Sequence, residues 1–190
     1  MIDMETSTLW SQVDGKAIQG PLIGSELTLF PSQHINFSQF KKSYPNGQLL
    51  KKPEKSTHGS RYDSYFSDKT KIGIFGRKEN FERMDAKALI YGVRTDDFQL
   101  AVSQDKLERD GYFVIEKVNP PIVIMYDENG KSARAYSVAT VPTDSSGSIT
   151  IVKGEIYVAG KPATAIEPVP LLTSFWFAWA SFFPDSELIQ

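Results

Sequence analysis

Five residues near the start of the chain carry side chains that could do chemistry together. They supply two carboxylates, a hydroxyl, an indole and an amide, on Asp3, Glu5, Thr6, Trp10 and Gln12. On a β-strand the two carboxylates would share one face, because alternate side chains point to the same side. Paired carboxylates can act as acid and base when their surroundings separate their pKa values, as in glycoside hydrolysis. The same groups can instead hydrogen-bond to one another and to turn backbone, or bind a polar ligand.

The composition of the 190-residue chain excludes several other kinds of site. Cysteine is absent, so a thiolate nucleophile, a disulfide or a zinc–thiolate centre cannot form. The two histidines, His34 and His58, lie in polar or amphipathic stretches and suggest neither a metal site nor a hydrolase triad. A phosphate-binding loop with Walker spacing is also missing. The sequence therefore predicts no metal and no cofactor.

The formal net charge is only -2, but the charges are unevenly distributed. Residues 41–87 contain twelve Lys or Arg and six Asp or Glu, a local balance of +6, interleaved with aromatic residues. Such a stretch could bind single-stranded nucleic acid or anionic glycans, but basic loop residues more often form a solvated surface. We therefore predict no nucleic-acid partner.

Short apolar runs separated by turn signals predict a mainly β fold with a few short helices, of the α+β class. The predicted strands cover residues 9–13, 17–18, 26–30, 113–118, 122–126, 133–141, 148–152 and 155–159. The predicted helices cover residues 36–44, with Asn36 as the N-cap, and residues 105–110. Hairpin turns are predicted at Asp14-Gly15, Asn129-Gly130 and Lys153-Gly154.

Apolar residues concentrate in residues 169–183, where one proline, two serines and a threonine interrupt the run. The run is shorter than the roughly 20 residues that span a bilayer, so it predicts a buried element and no transmembrane segment. Within it, Trp176 and Trp179 are expected in the core of the fold. Trp10 is expected to pack at the base of the first hairpin. The first residues of the chain also lack the pattern of a secretory signal.

An internal similarity relates the two ends of the chain at an offset of 139 residues. At this offset Phe37 aligns with Trp176 and Phe40 with Trp179. The turn residues that follow also match, since residues 44–49 align with residues 183–188. In both copies a strand hairpin, a proline, an aromatic helix and an aromatic-Pro turn follow one another. A duplication explains this order.

The duplication predicts two related β-rich units. Residues 1–60 would be the C-terminal part of a first unit that is truncated at its N-terminus, residues 61–85 a connecting segment, and residues 86–190 a complete second unit.

Three stretches of the sequence resemble the signature of the bacterial and archaeal domain-of-unknown-function family 3179. They are residues 3–27, with Asp3-Met4-Glu5-Thr6-Ser7-Thr8-Leu9-Trp10-Ser11-Gln12 at their start, the run Arg83-Met84-Asp85-Ala86-Lys87-Ala88-Leu89-Ile90-Tyr91-Gly92-Val93, and the ending Phe175-Trp176-Phe177-Ala178-Trp179 to Phe183-Pro184. The segment Tyr62-Asp63-Ser64-Tyr65 adds a shorter match. The chain departs from the family at Thr8, where members usually have serine.

The resemblance implies a prokaryotic protein without an established activity. Family members often carry an export signal or lipid anchor and an upstream half with a Cys-Pro-Leu-Thr motif, neither of which occurs in residues 1–190. It therefore implies an extracytoplasmic protein, and it makes the upstream half or a cell-envelope component the expected partner.

Two functions from different classes fit these observations. The first is a noncatalytic binding or structural module that recognises a polar ligand, a glycan or a protein partner. The alternative is a carboxylate-based hydrolase or transferase that uses Asp3 and Glu5. In either case we expect Glu5, Trp10 and Gln12 to face the boundary between the two units, with Arg83 as a counter-charge because it lies in a family-like stretch.

Overall fold

A computed structural model describes residues 1–51, 63–68, 72–73, 81–95, 97–139 and 149–190. These residues form thirteen short strands and four short helices, so the expectation of a mainly β fold with a few short helices is confirmed. In chain order the elements are β1 Leu9–Trp10, β2 Ala17–Gln19, α1 Phe37–Ser43, α2 Asp63–Ser67, β3 Leu89–Arg94, β4 Gln99–Ser103, α3 Gln104–Asp110, β5 Tyr112–Ile115, β6 Ile122–Asp127, β7 Ser132–Val138, β8 Ile149–Val152, β9 Glu155–Val158, β10 Lys161–Pro162, β11 Ile166–Val169, β12 Leu172–Phe175, α4 Trp176–Phe182 and β13 Glu187–Ile189. None of these helices has the length and apolar character that a membrane span requires.

Three sheets contain most of the strands. Sheet I has the order β12-β3-β4-β13, sheet II the order β11-β7-β6-β5, and sheet III the order β10-β9-β8. The pairing is antiparallel except between β13 and β4, which run parallel. The remaining two strands, β1 and β2, form a separate small hairpin near the N-terminus.

The main core lies between sheets I and II. Side chains alternate along each strand, so every second residue of β3 and β4 faces sheet II. Tyr91 and Val93 of β3 pack in one buried cluster with Ile122 and Ile124 of β6, and Leu107 of α3 closes the cluster. Helix α3 is itself capped by the Ser103 hydroxyl, which accepts a hydrogen bond from the backbone of Lys106.

The opposite face of sheet I is covered by α4. This helix connects β12 to β13, the two edge strands of the sheet, and so crosses over the β3–β4 hairpin. Trp176 and Trp179 are fully buried there against Ile90 and Ala101, which confirms their predicted place in the core. Gly92 allows this close approach, because a Cβ at Gly92 would lie 2.1 Å from the Trp179 ring.

Sheet III packs against the face of sheet II that points away from sheet I. Val123 of β6 and Val138 of β7 form a third buried cluster with Ile156 of β9. The tight turn between β8 and β9 contains Lys153 and Gly154, both with positive φ, as predicted for a two-residue hairpin turn.

Two of the predicted strands differ from the structure in the first sixty residues. Residues 26–30 were predicted as a strand, but only Glu26 pairs, in an isolated bridge with Lys16 that also carries an ion pair of 3.0 Å. The strand predicted at residues 9–13 ends at Trp10, because the Ser11 hydroxyl and carbonyl accept backbone hydrogen bonds from Asp14 and Gly15 and turn the chain there. His58 and much of the predicted connecting segment lie outside the described residues.

Candidate functional site

The predicted site begins in a tight loop between Ile2 and Leu9, which pair in an isolated bridge. The Asp3 carboxylate lies inside this loop and accepts hydrogen bonds from the backbone N–H of Thr6 at 2.6 Å and from the Trp10 indole N–H at 2.9 Å. The Thr6 hydroxyl contacts both Asp3 carboxylate oxygens at 2.8 Å and the buried Thr8 hydroxyl at 2.6 Å. The loop thus closes around its own carboxylate.

These donors determine the chemistry of Asp3. The hydrogen bonds from Trp10 and from the Thr6 backbone lower the pKa of Asp3 to about 2. At neutral pH the group is therefore ionised, and its oxygens are engaged by neighbouring side chains and backbone. A carboxylate in this state is a weak base and cannot act as a general acid.

Glu5 and Gln12 lie outside the hydrogen-bond network. Residues 4–6 form a turn instead of a strand, so the expectation that Asp3 and Glu5 share a strand face is wrong. Both Glu5 and Gln12 are exposed, and within the described residues neither has a hydrogen bond or ion pair. Trp10 is half-buried, with its ring nitrogen committed to Asp3.

Arg83 belongs to a second, separate set of contacts. Its guanidinium donates to the backbone carbonyls of Pro184 at 3.2 Å and Ser186 at 2.8 Å, and lies 5.2 Å from the centre of the Trp176 ring. Gln190 in turn donates to the Arg83 carbonyl at 2.6 Å. Arg83 therefore holds the turn that follows α4. The structure brings Asp3, Thr6 and Trp10 together and gives Arg83 no hydrogen bond to them in the described part of the chain.

We expect the Asp3 network to stabilise the fold in a pH-dependent manner. Because the pKa of Asp3 in the fold lies below its ordinary value of 3.8, the ionised network contributes stability above pH 3.8 that is lost as the pH falls toward about 2. Asp3→Asn should therefore lower the melting temperature at neutral pH, and its difference from the wild type should shrink over this range. Thermal unfolding at several pH values measures the difference.

Glu5→Gln is the matched control, because Glu5 is exposed and lies two residues from Asp3. It should leave the melting temperature unchanged at every pH. Equal melting temperatures for Asp3→Asn and the wild type at neutral pH would contradict a structural role for the network.

A stronger functional signal lies in the two aromatic helices. Helix α1 runs from Phe37 to Ser43 and α4 from Trp176 to Phe182, so both have seven residues and their bounds differ by 139 positions. The residue before each helix is extended, with φ and ψ of -69° and 155° before α1 and -74° and 147° before α4. The residue after each helix has φ and ψ of -130° and 70° for α1 and -129° and 65° for α4.

The turns that follow the helices also correspond. The backbone N–H of Gly47 donates to the Tyr44 carbonyl at 2.9 Å, and that of Ser186 to the Phe183 carbonyl at 3.1 Å. The offset of 139 residues thus relates two pieces of structure residue by residue, from the first cap to the turn after the helix. The division of the chain into two related units stays a prediction.

The two helices differ in what covers them. Trp176 and Trp179 are 1% and 0% exposed under the β3–β4 hairpin. On α1, Phe37 is 54% exposed at the position that corresponds to Trp176, Phe40 is half-buried at the position that corresponds to Trp179, and Tyr44 is 50% exposed. We call Phe37, Phe40, Tyr44 and Leu49 the α1 face. Leu49 and the adjacent Leu50 are also exposed, although Leu188 and Ile189, at the offset of 139, lie in β13.

Polar contacts outside the face fix the position of α1. The Asn36 side chain caps the helix by accepting from the backbone of Gln39 at 2.8 Å, and it donates to the Asn129 carbonyl at 2.8 Å. Gln33 donates to the buried Ser132 hydroxyl at 2.8 Å. These contacts tie the start of α1 to the β6–β7 turn. Among the described residues no hairpin packs against α1 as β3–β4 packs against α4. The sequence predicted this helix but not that its face is open, because exposure depends on what packs against it.

Neither region contains a cluster of metal-ligating side chains among its described residues. Within the residues that the structure describes, no group of three or more His, Asp or Glu side chains is placed to hold a metal ion.

Comparison with known proteins gives a family and no function. The family described as "Protein of unknown function (DUF3179)" matches residues 1–186. No curated protein and no solved structure matches the chain. The match covers nearly the whole sequence, including the opening loop, the Arg83 stretch and both aromatic helices. The chain therefore belongs to the DUF3179 family.

Proposed function

We propose that the chain is a noncatalytic binding module of the prokaryotic cell envelope, and that its α1 face docks a β-hairpin of a protein partner. The observation that carries this proposal is the pair of matching helices, of which α4 covers a hairpin and α1 covers none. The extracytoplasmic location follows from the family resemblance alone.

The contacts of α4 serve as the template for the missing partner. The β3–β4 hairpin lies under α4, with β12 pairing at one edge and β13 at the other. Its face toward the helix presents Ile90, Gly92 and Ala101, a small apolar surface. The Trp179 ring packs on it so closely that no room is left for a Cβ at Gly92. Buried aromatic area of this kind dominates both core and interface stability.

The corresponding part of the N-terminal copy has the same helix without the hairpin. Residues 33–36 and 48–50 stand where β12 and β13 stand at the offset of 139, but neither segment forms a strand. Because neither segment pairs with a strand, each leaves backbone groups to which a partner strand could add, as in peptide recognition at an open sheet edge. Exposed apolar groups of this size commonly mark interaction sites.

The template defines the chemistry of the partner. It is an antiparallel two-stranded segment with an apolar face and a glycine or alanine where the Phe40 ring lies. A second copy of this chain is a poor donor, because its own β3–β4 hairpin is already paired at both edges. We therefore propose a separate polypeptide segment. The upstream half implied by the resemblance and a cell-envelope protein are the two sources that fit the predicted duplication.

The state of Asp3 favours a binding module over an enzyme. The hydrolase or transferase hypothesis needs Asp3 and Glu5 as an acid–base pair. Asp3 is ionised and hydrogen-bonded to Thr6 and Trp10, whereas Glu5 lies on an exposed turn outside the network. The opening motif thus acts as a structural loop in this proposal.

A synthetic hairpin tests the proposal directly. The probe is a head-to-tail cyclised peptide with the sequence of residues 88–104, because cyclisation removes much of the ordering cost of a short hairpin. Val93→Thr, Leu100→Thr and Val102→Thr changes in the peptide replace apolar residues that face sheet II in the protein. Titration calorimetry should show saturable one-to-one binding to the full chain.

Matched variants separate docking from nonspecific adhesion. Phe40→Asp should weaken binding at least about tenfold, or ~1.4 kcal/mol, because it places a charge in the apolar contact. Ser38→Asp adds the same charge to an exposed position of the same helix and should leave binding unchanged. A peptide with Gly92→Val should not bind. Equal binding of both peptides, or equal effects of both protein variants, would refute docking on the α1 face.

A further inference from the structure

We infer that the cleft between sheets II and III is a binding site for a small hydroxylated carboxylic acid, with Arg134 as the carboxylate-binding residue. The cleft has a volume of about 1110 Å³ and lies on the face of β6 and β7 that sheet III covers. The lining of this cleft includes no residue of the α1 face or the Asp3 network, although Tyr44 of the α1 face borders a smaller groove beside Arg134. The inference does not rest on the proposed function.

Arg134 has an unusual position in the middle of β7. Its sequence neighbours Ala133 and Ala135 face the main core between sheets I and II, so alternation places Arg134 on the opposite face, toward sheet III. The Nε atom is buried and has no hydrogen-bond partner. Within the described residues Arg134 also forms no ion pair. A guanidinium is always charged, and a buried donor without a partner is costly.

A ligand carboxylate would supply the missing partner. The Nε–H and a terminal N–H of arginine form a fork that matches the two oxygens of a carboxylate in a bidentate pair. Arg134 lines both the large cleft and a neighbouring groove of about 250 Å³, so its side chain borders open space on two sides. A small molecule therefore has access to the Arg134 side chain, and the side chain must turn to bring the buried Nε–H to a bound carboxylate.

The other lining residues determine the rest of the ligand. Tyr136, which alternation places on the same face of β7 as Arg134, provides aromatic surface of the kind that packs against sugar rings. Asp127, Glu128 and Glu155 also line the cleft, where carboxylates can accept hydrogen bonds from ligand hydroxyls. The same acids repel polyanions, because the described lining contains three acidic residues and two basic ones, Arg134 and Lys153. A single carboxylate on a hydroxyl-bearing ring, as in a uronic acid, fits both requirements.

The test is a titration of the full chain with D-glucuronate, followed by NMR chemical shifts or calorimetry. A ligand of this size should bind with a dissociation constant of about 1 mM. D-glucose, which lacks the carboxylate, should bind at least about tenfold more weakly, and inorganic phosphate should not compete.

Variants of the cleft distinguish a fork-shaped contact from simple charge attraction. Arg134→Lys retains the charge and loses the fork, and it should weaken glucuronate binding at least about tenfold. Lys161→Gln removes an exposed charge on β10, outside the cleft lining, and should leave binding unchanged. Melting temperatures of both variants confirm that they are folded, and Arg134→Gln provides a second variant if Arg134→Lys is not.

Three results would overturn the inference. The first is that glucuronate does not saturate the chain even at concentrations well above about 1 mM. The second is that glucose binds as tightly as glucuronate, and the third is that Arg134→Lys binds glucuronate as tightly as the wild type. Stronger binding of phosphate than of glucuronate would likewise replace the proposed carboxylate with a different anion and reject the ligand class.

Discussion

Trp179→Ala should reduce the free energy of unfolding by about 3–5 kcal/mol, the range observed for removal of a large aromatic side chain from a core. Trp179 is fully buried, packs on the backbone of Gly92 and donates its ring N–H to the Ser186 hydroxyl at 2.8 Å. The substitution removes this packing, leaves a cavity and removes the hydrogen-bond donor to the Ser186 hydroxyl. Such a loss is a large share of the total stability of a typical domain. Urea unfolding monitored by circular dichroism measures it.

Phe37→Ala is the matched control, because Phe37 occupies on α1 the position that Trp176 occupies on α4. With 54% of Phe37 exposed, its replacement should change the free energy of unfolding by no more than about 0.5 kcal/mol. Similar losses in Trp179→Ala and Phe37→Ala would mean that α1 is covered in solution as α4 is. The account of an open helix would then be wrong.

Gly92→Ala should destabilise the chain by about 3 kcal/mol, at the upper end of the range for overpacking a core. The added Cβ would lie 2.1 Å from Cζ3 and 2.5 Å from Cη2 of Trp179, so the indole or the strand must move. Both are held in place, the indole by Ser186 and β3 by its pairing with β4 and β12. Denaturant unfolding gives the free-energy change.

A double-mutant cycle identifies the cause of that loss. Trp179→Phe shortens the ring at the point of contact, so Gly92→Ala should cost less in the Trp179→Phe background than in the wild type. The coupling free energy should be at least about 1 kcal/mol, as expected for residues in direct contact. Strict additivity of the two substitutions would show that Gly92→Ala acts on the strand and not on the ring.

Local signals in the sequence predicted much of the fold. Asn36 caps α1 as expected, because the capping oxygen and the helix that it starts are neighbours in sequence. The Lys153-Gly154 turn was also predicted, since its positive φ angles depend on residue types at the turn itself. Strands β5 to β9 of sheets II and III were predicted within a few residues of their ends for the same reason, whereas β10 and β11 were not predicted.

Contacts between distant residues were not predictable in the same way. No strand was predicted over residues 89–103, although β3 and β4 form the centre of sheet I. Strand β3 contains Gly92, a residue that disfavours a strand prediction. Its role depends on the distant Trp179, whose ring packs directly on it. The opposite error occurred at residues 26–30, where strand-forming residues have no partner beyond the single bridge at Glu26.

In the candidate site, too, contacts within a short loop were predictable from the sequence and features that depend on the folded backbone were not. Asp3, Thr6 and Trp10 were singled out together and do form one network, because a short loop joins them. Glu5 falls outside it, since the turn at residues 4–6 replaces the strand on which the shared face depended. Arg134 was missed, although a lone charge between two alanines in an apolar strand is a signal that the sequence contains.

The central claim is that α1 docks a hairpin as α4 does, and hydrogen exchange tests it most directly. The backbone amides of residues 48–50 have no strand partner in the free chain and should exchange rapidly. Saturation with the cyclised hairpin peptide should slow them at least about tenfold, because a strand has added to that edge.

The amides of β13, at Glu187–Ile189, serve as the internal reference, since they already pair with β4 and should not change. The account predicts slowed exchange at residues 48–50, constant exchange in β13, and no slowing at residues 48–50 in Phe40→Asp. Unchanged exchange at residues 48–50 under saturating peptide, or slowing that persists in Phe40→Asp, would contradict it.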